Sequence, residues 1–138
     1  MENKMVIDSC IFIDYFRTRN KTGCLLKRLL RNNPKVFVSA IAKYEVLCGS
    51  KYADLLFWQE TFKMFLVLPV DDTTIEMAHQ IHRQLKRDRC LLDIADILIA
   101  ATAIVNDLPL ATINRKHFER INGLRLVDLS DIHPKPQF

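Results

Sequence analysis

Residues 6–16 read VIDSCIFIDYF: a short apolar run, a carboxylate at Asp8, and then an amphipathic stretch with a second carboxylate at Asp14. Met5, Val6 and Ile7, with no polar residue among them, describe a strand buried on both faces, as in the interior of a parallel sheet. Ile11, Phe12, Tyr15 and Phe16 then recur at helical spacing, so strand gives way to helix at Asp8. The same succession repeats along the chain. Val36-Phe37-Val38, Leu66-Val67-Leu68, Leu110-Ala111 and Leu124 to Val127 fit further strands, and helix-like segments lie near 21–32, 40–48, 52–65, 72–88 and 94–106. Strands alternating with helices, with only three glycines and few hairpin signals, predict an α/β class: three layers, with helices on both sides of a mostly parallel sheet of four to five strands.

A chain of 138 residues suffices for one hydrophobic core. Residues 1–132 are expected to form a single domain, followed by the proline-containing tail HPKPQF at 133–138. Hydrophobic residues at 49% and charged residues at 26% match folded soluble domains and exclude disordered and fibrous classes. Apolar runs are broken by charge before they reach bilayer length, and MENKM lacks the apolar core of a secretory signal, so a cytoplasmic location is expected. Cys10, Cys24, Cys48 and Cys90 are widely spaced among apolar neighbours and are read as reduced, mostly structural thiols. The net charge of +4 favours polyanions but is shared by many ordinary proteins.

Three acids carry the chemical interest. Asp8 lies where the first strand ends, the edge at which open α/β sheets bind ligands; its structural use would be as an N-cap. In SAIAKYEVLCGS, Ser39 is a good N-cap, and helical pitch groups Ile41, Tyr44, Glu45 and Cys48 with Lys43 opposite. A carboxylate in an apolar face requires a cation, a hydrogen-bond donor or a metal beside it, and a buried ion pair is the structural alternative. In LLDIADILIAATAIV, Asp93 suits the N-cap of an apolar helix, while Asp96 lies in its first turn, where the helix dipole favours it. The alanines that follow permit close approach to a sheet, aiming Asp96 at the same edge.

Carboxylates brought together repel, and a divalent cation converts that repulsion into binding. Oxygen-only donors select Mg²⁺ or Mn²⁺ rather than zinc. His79 and His82 lie near the stripe Ile75, Ala78, Ile81 and Leu85 and read as core-edge residues; His117 and His133 stand alone.

VIDSCIFIDYF, SAIAKYEVLCGS, the DILIAATA segment and LATINRKHFERINGLRLVDL, in that order and spacing, resemble the PIN domain family, specifically its VapC-type toxin ribonucleases. The resemblance spans nearly the whole chain. It implies an endoribonuclease holding Mg²⁺ or Mn²⁺ with Asp8 and Asp96, with Glu45 completing the acidic centre and Asn114 standing where many PIN domains have a fourth acid. That departure puts a tightly held second metal in doubt. Ser9 and Thr112 would support the site, whereas Asp14 is read as solvating its helix. A cognate VapB-type antitoxin and a homodimer are further implications.

Arg17, Arg19, Lys86, Arg87, Arg89, Arg115 and Lys116, together with Arg120, are candidates to grip RNA phosphates. Tyr52, Phe57, Trp58, Phe62 and Phe65 crowd one segment; core packing accounts for most of them, and because a helix with aromatics around so much of its circumference is not expected to hide them all, a partner surface is expected for the rest. A receiver-type domain is excluded because neither Val36-Phe37-Val38 nor Leu110-Ala111 ends in the required Asp or Lys. A haloacid-dehalogenase-type phosphatase would need an acid where Cys10 stands. The remaining rivals are a catalytically inactive PIN-like RNA- or protein-binding module and a non-toxin PIN nuclease of RNA processing.

Overall fold

The computed structural model describes residues 4–19, 21–32 and 35–130. Its sheet consists of β1 (Met5–Ile7), β2 (Val36–Ser39), β3 (Leu66–Leu68) and β4 (Leu110–Ala111), all parallel, in the order β3-β2-β1-β4. The helices are α1 (Ser9–Arg17), α2 (Leu25–Asn32), α3 (Ala40–Gly49), α4 (Leu55–Phe62), α5 (Asp72–Arg87), α6 (Ile94–Val105) and α7 (Arg115–Phe118). The chain builds outward from β1 through β2 to β3 and then returns to lay β4 on the other side of β1. The strand order therefore reverses between β1 and β4, and the crevice beyond their carboxyl ends is where this architecture receives ligands.

Burial explains the strands. Val6, Ile7, Val38, Leu110 and Ala111 are fully inaccessible, as two-sided covering of a parallel sheet demands. From α1, Ile11 and Phe12 enter the same core, as do Leu26 and Leu29 of α2. On α6, Ala100, Ala101 and Ala103 are fully buried, so the helix lies close to its neighbours α3 and β2. α5 packs along α6, and among its residues Gln84 donates to the Arg120 carbonyl at 2.7 Å and accepts from the Asn122 N–H at 3.0 Å, tying that helix pair to the turn after α7.

Several expectations need correction. The segment 124–127 forms no full strand but an isolated parallel bridge of Leu126 to Leu110; β4 is two residues long, and a turn at Gly123 (φ 83°) limits the pairing. The expected helix over 21–32 is divided at Cys24, because Lys21 turns back to cap α1: its Nζ donates to the carbonyls of Tyr15, Phe16 and Thr18 at 2.9, 3.2 and 3.0 Å. α3 does not bury Tyr44 and Cys48. Its buried stripe is Ala42 and Val46, and Tyr44 and Cys48, one turn apart, lie against each other on the outside.

The aromatic segment is mostly interior, as core packing of most of its rings required, and among the described residues it leaves no aromatic patch for a partner. Trp58, Phe62 and Phe65 are buried, with Trp58 in ring contact with Phe16, Phe57 and Phe62, so only Tyr52 is freely exposed there. His79 and His82 are exposed, since the buried stripe of α5 is Thr74, Ala78, Ile81, Gln84 and Leu85. Residues 131–138, and with them the tail and His133, lie outside the described residues. No helix among the described residues is long and apolar enough to cross a membrane.

Candidate active site

Asp8 is fixed at the switch point by backbone and side chain together. Its N–H donates to the Ala111 carbonyl at 2.9 Å, joining the ends of β1 and β4, and its extended backbone (φ −72°, ψ 151°) caps α1. Asp8 is 1% exposed. Oδ1 accepts from the Ser9 N–H at 2.8 Å; Oδ2 accepts from the Thr112 hydroxyl at 2.8 Å and from the Cys10 thiol at 3.0 Å. Capping and a functional role are thus compatible uses of one side chain.

Glu45 comes to this carboxylate from α3, and its Oε1 is buried without a hydrogen-bond partner. Burial pushes its carboxyl above the ordinary range, the negative charges of Asp96 and Asp8 push it further, and hydrogen bonding from Ser9 acts in the opposite direction. The alternative of a buried ion pair is not observed: among the described residues Glu45 Oε1 has no hydrogen-bond partner. Asp96, in the first turn of α6, is raised by burial and then by Asp8 and Asp93, while His117 favours its charged form. The acids at 8, 45 and 96, distant in sequence, are therefore near enough to influence one another's charge.

Asp93 occupies the N-cap position of α6, where its carbonyl accepts from the Ile97 N–H at 3.1 Å, but its carboxylate makes no capping bond and adds charge to the cluster instead. Thr112 is fully buried, donates to Asp8 and accepts from the Asn114 N–H at 3.0 Å. Asn114 starts α7 with an exposed side chain that makes no cap bond. Ser9 and Asp14 are half-buried.

Among the described residues, no three His, Cys, Asp or Glu side chains are close enough to hold one ion unaided. The donor set nevertheless fits a hard cation. Mg²⁺ is commonly bound by one or two carboxylates, keeping several waters and sharing the rest of its shell with substrate phosphate. A buried carboxylate oxygen without a partner, beside two further acids, is the local sign of a missing positive charge.

Two residues escaped the sequence. Cys10, read there as a structural thiol, faces the acids; burial first, then Asp8, push it up to about 12, while the Ile113 N–H and Thr112 oppose the rise. His117, read as standing alone, is near enough to Asp96 to influence its charge. The signal for Cys10 was its helical position, two residues from the cap; nothing local marked His117. Beside Glu45 opens a groove of about 350 Å³ lined by Ile13, Phe16, Arg17, Glu45, Val46 and Trp58.

The cationic candidates differ in their settings. Arg17 lines the groove, and Arg19 lies exposed beyond α1. Lys86 and Arg87 form the last turn of α5, and Arg89 takes a left-handed backbone (φ 58°) in the connection to α6. Lys116 and Arg120 are exposed, whereas Arg115 donates to the Val127 carbonyl at 2.7 Å.

The family profile of the PIN domain matches residues 5–124. The chain belongs to the PIN domain family. This PIN domain is 34% identical over 130 residues to Ribonuclease VapC1 of Methanocaldococcus jannaschii, covering 92% of this chain and 89% of that protein. It is 29% identical over 120 residues to Ribonuclease VapC19 of Mycobacterium tuberculosis, covering 87% and 96%. Among solved structures it resembles DNA-bound VapBC from Salmonella typhimurium with TM-score 0.77 and 26% identity, covering 91% of this chain and 97% of that one. VapBC-1 from Haemophilus influenzae, at TM-score 0.78 and 22% identity over 92% and 98% of the two chains, shares the fold. This PIN domain is of the VapC type, and the three-layer α/β/α architecture read from the sequence is the one observed.

Proposed function

We propose that this chain is a divalent-metal-dependent endoribonuclease, the toxin of a VapBC-type toxin–antitoxin pair, and that Asp8, Glu45 and Asp96 form its catalytic centre. The observation that carries the assignment is the partnerless buried Oε1 of Glu45 beside Asp8 and Asp96. Asp8 and Asp96 would hold Mg²⁺ or Mn²⁺. Such an ion, when bound, lowers the pKa of coordinated water and offsets charge developing on the attacked phosphate.

The protein's own groups do the rest. Glu45, whose affinity for protons is raised, accepts the proton of the attacking water at its free oxygen. Thr112 and Ser9 hold the acids in place, and Asn114 offers a neutral amide to orient water or ligand without adding charge. Arg17, Arg19, Lys86, Arg87, Arg89, Arg115 and Lys116 hold the RNA backbone. By its kinship with the VapC proteins the chain acts in the cytoplasm as a homodimer and is silenced by a VapB-type antitoxin.

An inactive RNA-binding module is the second reading, since among the described residues no three His, Cys, Asp or Glu side chains form a preformed metal site. One experiment separates the two. The purified chain is incubated with structured RNA and Mg²⁺ or Mn²⁺, against Asp8→Asn, Glu45→Gln and Asp96→Asn variants whose circular dichroism matches the parent. Nuclease action requires cleavage that EDTA stops and that each variant lowers by at least about a hundredfold, the lower range for a general base. No cleavage by the parent, or cleavage surviving both Asp substitutions, rejects the assignment.

A further inference from the structure

Cys10 is the second residue of α1, and its thiol is turned back toward the cap. Its Sγ lies 3.0 Å from Asp8 Oδ2, the same oxygen that accepts from Thr112 Oγ1 at 2.8 Å, and the two donors are 3.6 Å apart. The other oxygen, Oδ1, accepts from the Ser9 N–H at 2.8 Å and more distantly from the Ser9 hydroxyl at 3.5 Å. We infer that Cys10 is a positioning residue for Asp8: with Thr112 it occupies Oδ2 and fixes the plane of the carboxylate that would hold the metal. This inference rests on the proposal above that Asp8 is a metal ligand.

The terminal torsion of an Asp side chain is broad and two-fold, so it needs outside partners to select one orientation. The Ser9 N–H alone, arising from the adjoining residue, holds one oxygen and leaves the other to swing. Cys10 and Thr112 approach the second oxygen from different elements, the start of α1 and the end of β4, and a plane gripped from both sides cannot rotate without losing two bonds. Partners of this kind orient ligating carboxylates, and their removal typically costs about 10- to 100-fold in metal affinity. A hydroxyl at position 10 retains a donor; a methyl or isopropyl group does not.

The test is Mn²⁺ binding to the whole chain, measured by calorimetry or by electron paramagnetic resonance of the free ion, for Cys10→Ala, Cys10→Val, Cys10→Ser and Asp8→Asn. Valine fills the space of the thiol without a donor, which guards against a cavity in the alanine variant being mistaken for lost positioning. Expected is an affinity about tenfold weaker in both Cys10→Ala and Cys10→Val, near-parent affinity in Cys10→Ser, and none detectable in Asp8→Asn. Parent-like binding by Cys10→Ala and Cys10→Val while Asp8→Asn fails to bind overturns the role of Cys10 alone, as does Cys10→Ser falling as far as the other two. Undiminished binding by Asp8→Asn overturns the metal assignment itself, and the positioning role with it.

Discussion

Glu45 concentrates the tension of the site in one side chain. Its raised pKa means that the folded state binds the proton more tightly than the unfolded chain does, and Asp96 is raised in the same sense. The contribution of each to stability is therefore fullest when protonated, and it is lost as pH rises from about 4, the ordinary carboxylate range, through the raised value. Asp71 and Asp128, lowered by hydrogen bonds from Thr74 and Ser130, act oppositely at acid pH, so the informative quantity is the difference between parent and variant. In metal-free buffer Glu45→Gln should be the more stable at pH 8, by on the order of 1 kcal/mol given its partial exposure, and the gap should close toward pH 4. Millimolar Mg²⁺ should narrow the gap at pH 8 by stabilising the parent. Urea unfolding at the two pH values checks this; a parent as stable as Glu45→Gln at pH 8 without metal would remove the repulsion on which the site is argued. Asp8 and Glu45 were legible because each breaks a local rule, an acid ending a buried strand and an acid interrupting an apolar helix. His117 breaks none, and only the fold brings it to Asp96.

Among the elements, α4 shows where periodicity stops being informative. Its aromatics occupy so much of the helix circumference that sequence assigns most of them to the core but cannot say which, and a residual external patch was expected. α1 supplies the cover: Phe16 meets Trp58 tilted at 5.4 Å and Phe57 edge-on at 5.6 Å, and Phe12 meets Phe62 and Phe65 at 5.1 and 4.9 Å. Trp58→Ala should then cost about 3 to 5 kcal/mol by leaving a cavity, whereas Tyr52→Ala, 93% exposed, should change stability by less than about 0.5 kcal/mol. Chemical denaturation of the two variants decides it, and equal small effects would return Trp58 to the surface. The exposed face of α3 has a related cause. Ala42 and Val46 form the buried stripe, and Tyr44 and Cys48 are left outside to contact each other. The segment 124–127 has the composition of a strand, but with only two residues in β4 there is little ladder to join. Strand chemistry is local; the length of the partner is not.

At the scale of the whole molecule, a single topological feature gathers what the chain keeps apart. The reversal of strand order beside β1 opens the crevice in which residues 8, 45 and 96 meet, and the antiparallel packing of α5 on α6 carries Lys86, Arg87 and Arg89 to the end of α6 that bears Asp96. In the proposed nuclease, an acidic centre inside a chain of net charge +4 would place attraction for the RNA backbone around the site and leave the acids for the ion. If those three cations each contact one phosphate of a single strand, binding releases about 0.7 counterion per contact. Replacing all three with glutamine should therefore flatten the slope of log affinity against log salt concentration by about 2, with thermal stability near that of the parent. The measurement is best made in the Asp96→Asn background, where RNA is bound without being cut, by fluorescence anisotropy over a salt series. An affinity that falls with its slope unchanged would mean that the substitutions act through the structure of the α5–α6 connection, where Arg89 already holds a left-handed backbone, and not through phosphate contact.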